Sequence, residues 1–150
     1  MAEPFVPDGF VPPSGLTTEQ FQLEPLGPQH NEPDYAAWSS SVEHIHATPG
    51  WETSNWPDDR NLAKNLEDLQ GHADDFANQT GFTYTVLDPQ SGEVIGCVYI
   101  YPDKSGDHDA KVLSWVTEGR ADLDAPLWRA VSDWLEADWR FERVAYAERR

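Results

Sequence analysis

The apolar residues of this chain follow different spacings in turn, and each change of spacing marks an element. Residues 1–20, "MAEPFVPDGFVPPSGLTTEQ", show no period: four Pro and two Gly break any regular element, yet Phe5, Val6, Phe10 and Val11 are apolar. This predicts an extended arm that docks on the domain or on a neighbouring subunit. "FQLEPL", with Phe21, Leu23 and Leu26, predicts a short first strand ended by Gly27-Pro28. From Asn31 to about Ala47, Tyr35, Trp38, Val42 and Ile45 recur at spacings of three, four and three, one helical stripe with Asn31 as N-cap, Pro33 in the first turn and Pro49-Gly50 as stop. After an aromatic link, "GWETSNWPDD", a second helix follows from Leu62, Leu66, Leu69, Ala73 and Phe76, with Gly81 ending it. The period then drops to two. "FTYTVL" places Phe82, Tyr84 and Val86 on one face, "DPQSG" turns the chain, and "EVIGCVYIY" completes a hairpin. "AKVLSWV" is the next strand after the polar loop Pro102 to Asp109. Leu127, Val131, Trp134 and Leu135 make a third helix with Asp124 or Asp122 as cap and Pro126 in its first turn, and "FERVAY" is a last strand. The order β-α-α-β-β-β-α-β predicts an α/β (mixed α+β) protein: an arm over 1–20 and one domain over 21–150, with a single strand-helix-strand crossover near its end.

Composition supports a folded domain, since 39% of the 150 residues are apolar and seven are Trp. The charge changes the picture more. Twenty-seven Asp and Glu against ten Lys and Arg give −17, spread along the chain. Nucleic acid and anionic membrane are bound through cations that neutralise phosphates, so both are excluded as expected partners. A mimic of DNA that competes for a basic protein stays open, but a solubility or salt adaptation explains the charge without any partner. Cys97 is alone, so neither an internal disulfide nor a cysteine zinc site can form. No apolar run approaches the ~20 residues of a membrane span, and the basic start and apolar core of a signal peptide are lacking; the expected location is cytoplasmic.

Residues with chemistry are scattered. His44 and His46 are two apart on a helix and diverge by about 200°, so they cannot face one ion. His72 can share a helix face with Asp75 or Asp68, without a third ligand, and no metal site is expected. Neither Gly-x-Ser-x-Gly nor a Walker-type Gly-Lys-Ser/Thr occurs, and Cys97 in mid-strand reads as buried rather than nucleophilic. Tyr99 and Tyr101 alternate along the hairpin strand, as core or as the lining of a groove.

Order and residues together resemble the GNAT superfamily of acyl-CoA-dependent N-acetyltransferases over roughly Phe21 to Tyr146. "FTYTVLDPQSGEVIGCVYIYP" resembles its central hairpin, and "SWVTEGRADLDAPLWRAV" its loop from the fourth strand into the third helix. The resemblance implies an acyl-CoA N-acyltransferase fold and transfer of acetyl from acetyl-CoA to an amine, borne by a small molecule or a peptide. It implies that the backbone of Leu113, Ser114, Trp115 and Val116 pairs with the pantetheine arm. The loop from Thr117 through Arg120 and Ala121 to Ala125 would face the pyrophosphate. The family's loop has Gln or Arg, two residues, Gly, one residue, then Gly or Ala. Arg120 and Ala125 fit, whereas Leu123 stands where glycine would let backbone approach the ligand. Asp122 and Asp124 put like charge beside a phosphate, a repulsion of ~1 kcal/mol or more.

The superfamily continues after its fifth strand with a helix and two strands that supply a proton-donating tyrosine. Here the resemblance is to a C-terminally shortened form. It leaves a bare sheet edge for Phe5, Phe10 and Val11 or a second subunit to cover, so a homodimer is expected. The resemblance supplies no catalytic residue. Glu93, His108, Asp109 and Glu118, near strand ends, are open candidates for the base that takes a proton from the amine. Two functions therefore stand: an N-acetyltransferase, and a GNAT-like binding or assembly module with weakened or absent CoA binding.

Overall fold

The computed structural model describes residues 4–57 and 61–149. The first three residues of the arm, Asp58 and Asp59 of the aromatic link, Arg60 and Arg150 lie outside them. In chain order the elements are β1 (Leu16–Thr17), β2 (Gln22–Pro25), α1 (Asn31–Ser39), α2 (Val42–His46), α3 (Leu62–Asn78), β3 (Phe82–Leu87), β4 (Val94–Pro102), β5 (Ala110–Val116), α4 (Asp124–Asp138) and β6 (Val144–Tyr146). Short 3-10 turns at Pro28–His30 and Glu118–Leu123 lead into α1 and α4. The six strands lie in the order β1-β2-β3-β4-β5-β6, antiparallel except for the parallel pair β5·β6. This is the mixed α/β architecture that the order of elements predicts.

Period-two patterning divides the core between the two faces of the sheet. Phe82, Tyr84, Val86, Val98 and Val112 point to one side, where the α4 stripe of Leu127, Val131, Trp134 and Leu135 packs on them. Leu26, Trp38, Ile45, Leu69, Cys97 and Trp115 form the core on the other side, beneath α1, α2 and α3. The β3–β4 turn closes because Asp88 Oδ1 accepts the amides of Gln90 and Ser91, while Gly92 takes the left-handed φ of +74°. In mid-sheet, a Cβ at Gly96 would run into the carbonyl oxygen of Trp115, so only glycine lets β4 approach β5 there.

Several boundaries differ from expectation for local reasons. The helix over Asn31 to Ala47 breaks at Ser40–Ser41. Ser40 Oγ donates back to the Ala37 carbonyl, and Ser41 Oγ accepts the Glu118 amide across the fold. Asn31 is inside α1 with His30 as its N-cap, because the Asn31 side chain is used between helices: it donates to Leu62 O and accepts from Asn65 Nδ2. α3 ends through Gln79 in the left-handed conformation at φ 59°, ahead of Gly81. Its stripe is core only in part: Leu69 is buried, while Leu62 and Leu66 are 38% and 44% exposed. The face that meets α1 is instead polar, with Asn65 buried and accepting from Trp38 Nε1.

Neither Asp122 nor Asp124 caps α4. Leu123 holds the cap position, no side chain caps it, and Asp124 is the first helical residue. The arm adds β1 beside β2, at the edge opposite β6. Phe5 stacks between Phe82 and Phe141, Phe10 packs on Trp139, and Val11 is 82% exposed. No described helix is long and apolar enough to cross a membrane.

Candidate ligand site

On the α1/α3 side of the sheet, a cavity of about 850 Å³ opens between α3, the link that follows α2, and strands β4 and β5. Aromatic rings make one wall. Trp51 and Trp56 come from the link, and Tyr99 and Tyr101 from alternate positions of β4. The rings brace one another, with Trp51 5.5 Å from Tyr99 and 5.4 Å from Trp56, centroid to centroid. Acidic groups make the rest: Asp34 from α1, Glu67, Asp68 and Asp75 from α3, and Asp103 from the loop after β4, against Lys104 and Lys111. Five carboxylates against two ammonium groups leave the cavity negative.

Asp34 is the deepest of these, 3% exposed, with Oδ2 accepting from Asn65 Nδ2 at 3.1 Å. Burial pushes its carboxyl from 3.8 up to about 6, only partly opposed by the Asn65 hydrogen bond and by His30. His72 is pushed down by burial against the pull of Asp75 and Asp68, so its ring is neutral at pH 7. Tyr101 Oη donates to Asp75 Oδ2 at 2.8 Å, and His72 Nδ1 lies 2.9 Å from the same hydroxyl. With the Tyr101 proton on Asp75, Tyr101 Oη and Thr83 Oγ1, 3.0 Å from the ring nitrogen, both stand as acceptors for Nδ1–H, the tautomer in which Nε2 is the basic nitrogen of His72.

A second region lies where β5 and β6 part. Their parallel pairing runs over three positions, Ala110/Val144 to Val112/Tyr146. Beyond it Ser114 O accepts from Trp51 Nε1 at 2.9 Å and from Arg149 Nη2 at 2.8 Å, while Ser114 Oγ and Tyr146 Oη are 2.6 Å apart. Arg149 is 3% exposed. It donates to Asp124 Oδ2 at 3.0 Å and to Ala147 O, and its guanidinium lies 5.6 Å from the Tyr146 ring centroid.

The residues expected to hold acetyl-CoA gather around this seam. Leu113 faces the cavity; Ser114, Trp115 and Val116 are buried in β5; Thr117, Arg120 and Ala121 form the turn; Ala125 sits in the first turn of α4. As arranged, they do not fit the cofactor. Both lone pairs of Ser114 O are taken. The Thr117 amide donates to Ile95 O, that of Glu118 to Ser41 Oγ and that of Arg120 to Thr117 O, so these three are not free for a phosphate. Arg120 is bound to Asp88 at 2.9 Å and to Glu93 at 3.5 Å. The start of α4 already carries the Asp124 carboxylate.

None of the four candidate bases lines the cavity, although His108 touches its wall at Asp103. Glu93 and Glu118 border a separate hollow of about 550 Å³ with Ser41. His108 pairs with Asp103, and Asp109 accepts the Glu142 and Arg143 amides. Cys97 is buried, and burial pushes its thiol up, away from the reactive thiolate. Among the described residues no three His, Cys, Asp or Glu gather to hold a metal. Sequence reasoning singled out Tyr99, Tyr101, His72, Asp68 and Asp75. It missed Asp34, Trp56 and Arg149; Trp56 carried only the signal of an aromatic link, and the other two carried no local signal beyond their charge.

The fold is that of the GNAT acyl-CoA N-acyltransferases. The ribosomal L7/L12 alpha-N-protein acetyltransferase RimL superposes with a TM-score of 0.64 at 12% identity, over 88% of this chain and 74% of its own. The microcin C7 self-immunity acetyltransferase MccE, solved with acetyl-CoA and AMP, gives 0.62 at 13%, over 86% and 68%. The ribosomal-protein-S5-alanine acetyltransferase from Vibrio fischeri gives 0.60 at 14%, over 81% and 66%. The chain thus spans about two thirds to three quarters of the length of these acetyltransferases. No protein-family model matches the sequence, and no curated protein does.

Proposed function

We propose that this protein binds an organic amine, as its ammonium cation, in the acidic aromatic cavity of a GNAT fold, and acts as a binding module whose acyl-CoA side is closed. The observation that carries this is the cavity: five carboxylates against two lysines around the rings of Trp51, Trp56, Tyr99 and Tyr101. A cation over such rings gains about 0.5–2 kcal/mol, and a partly desolvated carboxylate adds to it. The −17 net charge steers a cation toward the protein and an anion away. A small molecule or the amine of a peptide meets these requirements equally. The test is titration of tryptophan fluorescence with alkyl diamines and with the matching neutral diols. Saturable changes with the diamines alone are expected; equal responses, or none at millimolar diamine, would refute the reading.

A second reading is supported by the fold shared with acetyltransferases and by His72. In it the chain is an N-acetyltransferase, with acetyl-CoA supplying the acetyl group. The bound amine must lose a proton before it can attack, and the unprotonated Nε2 of a neutral His72 is suited to take it. Tyr101 and Asp75 hold the ring in that tautomer. Incubation with acetyl-CoA and the same diamines, read by mass spectrometry of the amine and by thiol release, separates the two readings. Acetylated diamine that disappears in His72→Ala would establish the enzyme.

A further inference from the structure

We infer that Arg149 is a lock on the seam between β5 and β6, which holds the fold in a form closed to acyl-CoA. The inference rests on the reading that this seam is the acyl-CoA side of the fold. Two parallel strands that separate after three paired positions expose backbone groups on their facing edges, and an extended ligand enters there only by bonding to them. Here the opening is filled from within. Arg149 runs into it, saturates Ser114 O together with the Trp51 indole, bonds Ala147 O and neutralises Asp124 at the head of α4. Its 3% exposure shows that the side chain lies inside the seam rather than across its surface.

The arrangement differs from a surface ion pair because Arg149 is buried and ties both strand edges to the head of α4. Ser114 O lies on one edge and Ala147 O continues from the other. Asp124 stands where a pyrophosphate would meet the helix, and its Oδ1 is buried with no hydrogen-bond partner among the described residues. Moving Arg149 out would leave that carboxylate unpaired, so the closed form is held from both the strand side and the helix side. An acyl-CoA must displace the guanidinium and then meet the bare Asp124 carboxylate. If the open form is less than a tenth of the population, apparent affinity falls by more than ~tenfold relative to an unlocked site.

The sign of the charge makes the test clean. Arg149→Ala removes a cation from a protein of net charge −17, which by electrostatics alone weakens the binding of a polyanion. Calorimetric titration with acetyl-CoA is run on the wild-type chain, Arg149→Ala, Arg149→Lys and the double variant Arg149→Ala/Asp124→Asn, which removes the lock without leaving a bare carboxylate, each checked by thermal melting. Arg149→Lys keeps length and charge but loses the fork, and serves if the alanine variant does not fold. Binding at least ~tenfold tighter in a folded variant than in wild type, reversed by added methylguanidinium that refills the gap, is the expected result. Wild-type binding as tight as the variants', or no binding by any folded variant, would overturn the lock. Diamine fluorescence titration of the same proteins reports on the cavity separately, so failure of the lock and failure of the amine reading are told apart.

Discussion

Asp34→Asn should raise stability and lower amine affinity together, a pairing of signs that only a functional burial of charge produces. Asp34 is 3% exposed, and its carboxyl rises from 3.8 to about 6 because burial disfavours the anion. That shift of about two pH units corresponds to about 3 kcal/mol at 1.36 kcal/mol per unit. The folded state holds this proton more tightly than the unfolded chain. The associated stability is therefore fully present below about pH 3.8 and is lost as pH rises through about 6. At pH 7 the wild type carries the whole penalty. Asparagine removes the charge, keeps the volume and can still accept from Asn65 Nδ2. Urea unfolding of both proteins at half-unit steps from pH 4 to pH 8 reads the difference directly, since the other carboxylates titrate in both and cancel. The variant should match the wild type near pH 4 and exceed it by up to about 3 kcal/mol at pH 7. Diamine affinity of the wild type should rise over the same window as Asp34 ionises, and that of the variant should be lower and flat. A variant less stable than wild type at pH 7, or a stability difference independent of pH, would refute the reasoning.

Other expectations follow from packing. Gly96→Ala should destabilise by about 2–3 kcal/mol, because its Cβ meets the Trp115 carbonyl oxygen, which the β4–β5 ladder holds in place; the shift in urea midpoint measures it. Phe5→Ala should cost about 2–3 kcal/mol through loss of its stacking on Phe82 and Phe141, whereas Val11→Ser, at a residue 82% exposed, should stay within about 0.5 kcal/mol. Equal melting temperatures for the two arm variants would mean that the arm is not part of the folded core.

Much of the fold is legible from spacing. The period-two runs at Phe82 to Val86 and through β4, and the three-and-four stripe of Leu127 to Leu135, are set by which faces must leave water, and neighbouring residues alone decide that. Boundaries were less legible where a side chain bonds across the fold. Ser41 reaches Glu118 and Asn31 reaches Asn65, and those partners override local capping preference. The stretch that the resemblance singled out, Leu113 to Ala125, runs along the seam, but no local pattern shows that Arg149 fills it.

Local spacing alone thus fixes the strands from β2 onward, the long helices α3 and α4, the two apolar faces of the sheet and the acidic surface, but neither β1 within the arm nor the break between α1 and α2. The cavity and the lock were decided only by tertiary structure. Trp51 meets Ser114 across 63 positions of sequence and Arg149 meets it across 35. Asp34 owes its raised carboxyl to burial beneath the packed helices, and Asn65, the hydrogen-bond partner that opposes the rise, comes from 31 positions away. Spacing along a chain encodes which face is apolar. Whether a polar group is bonded, buried or free depends on partners that only the closed sheet and its helices bring within reach.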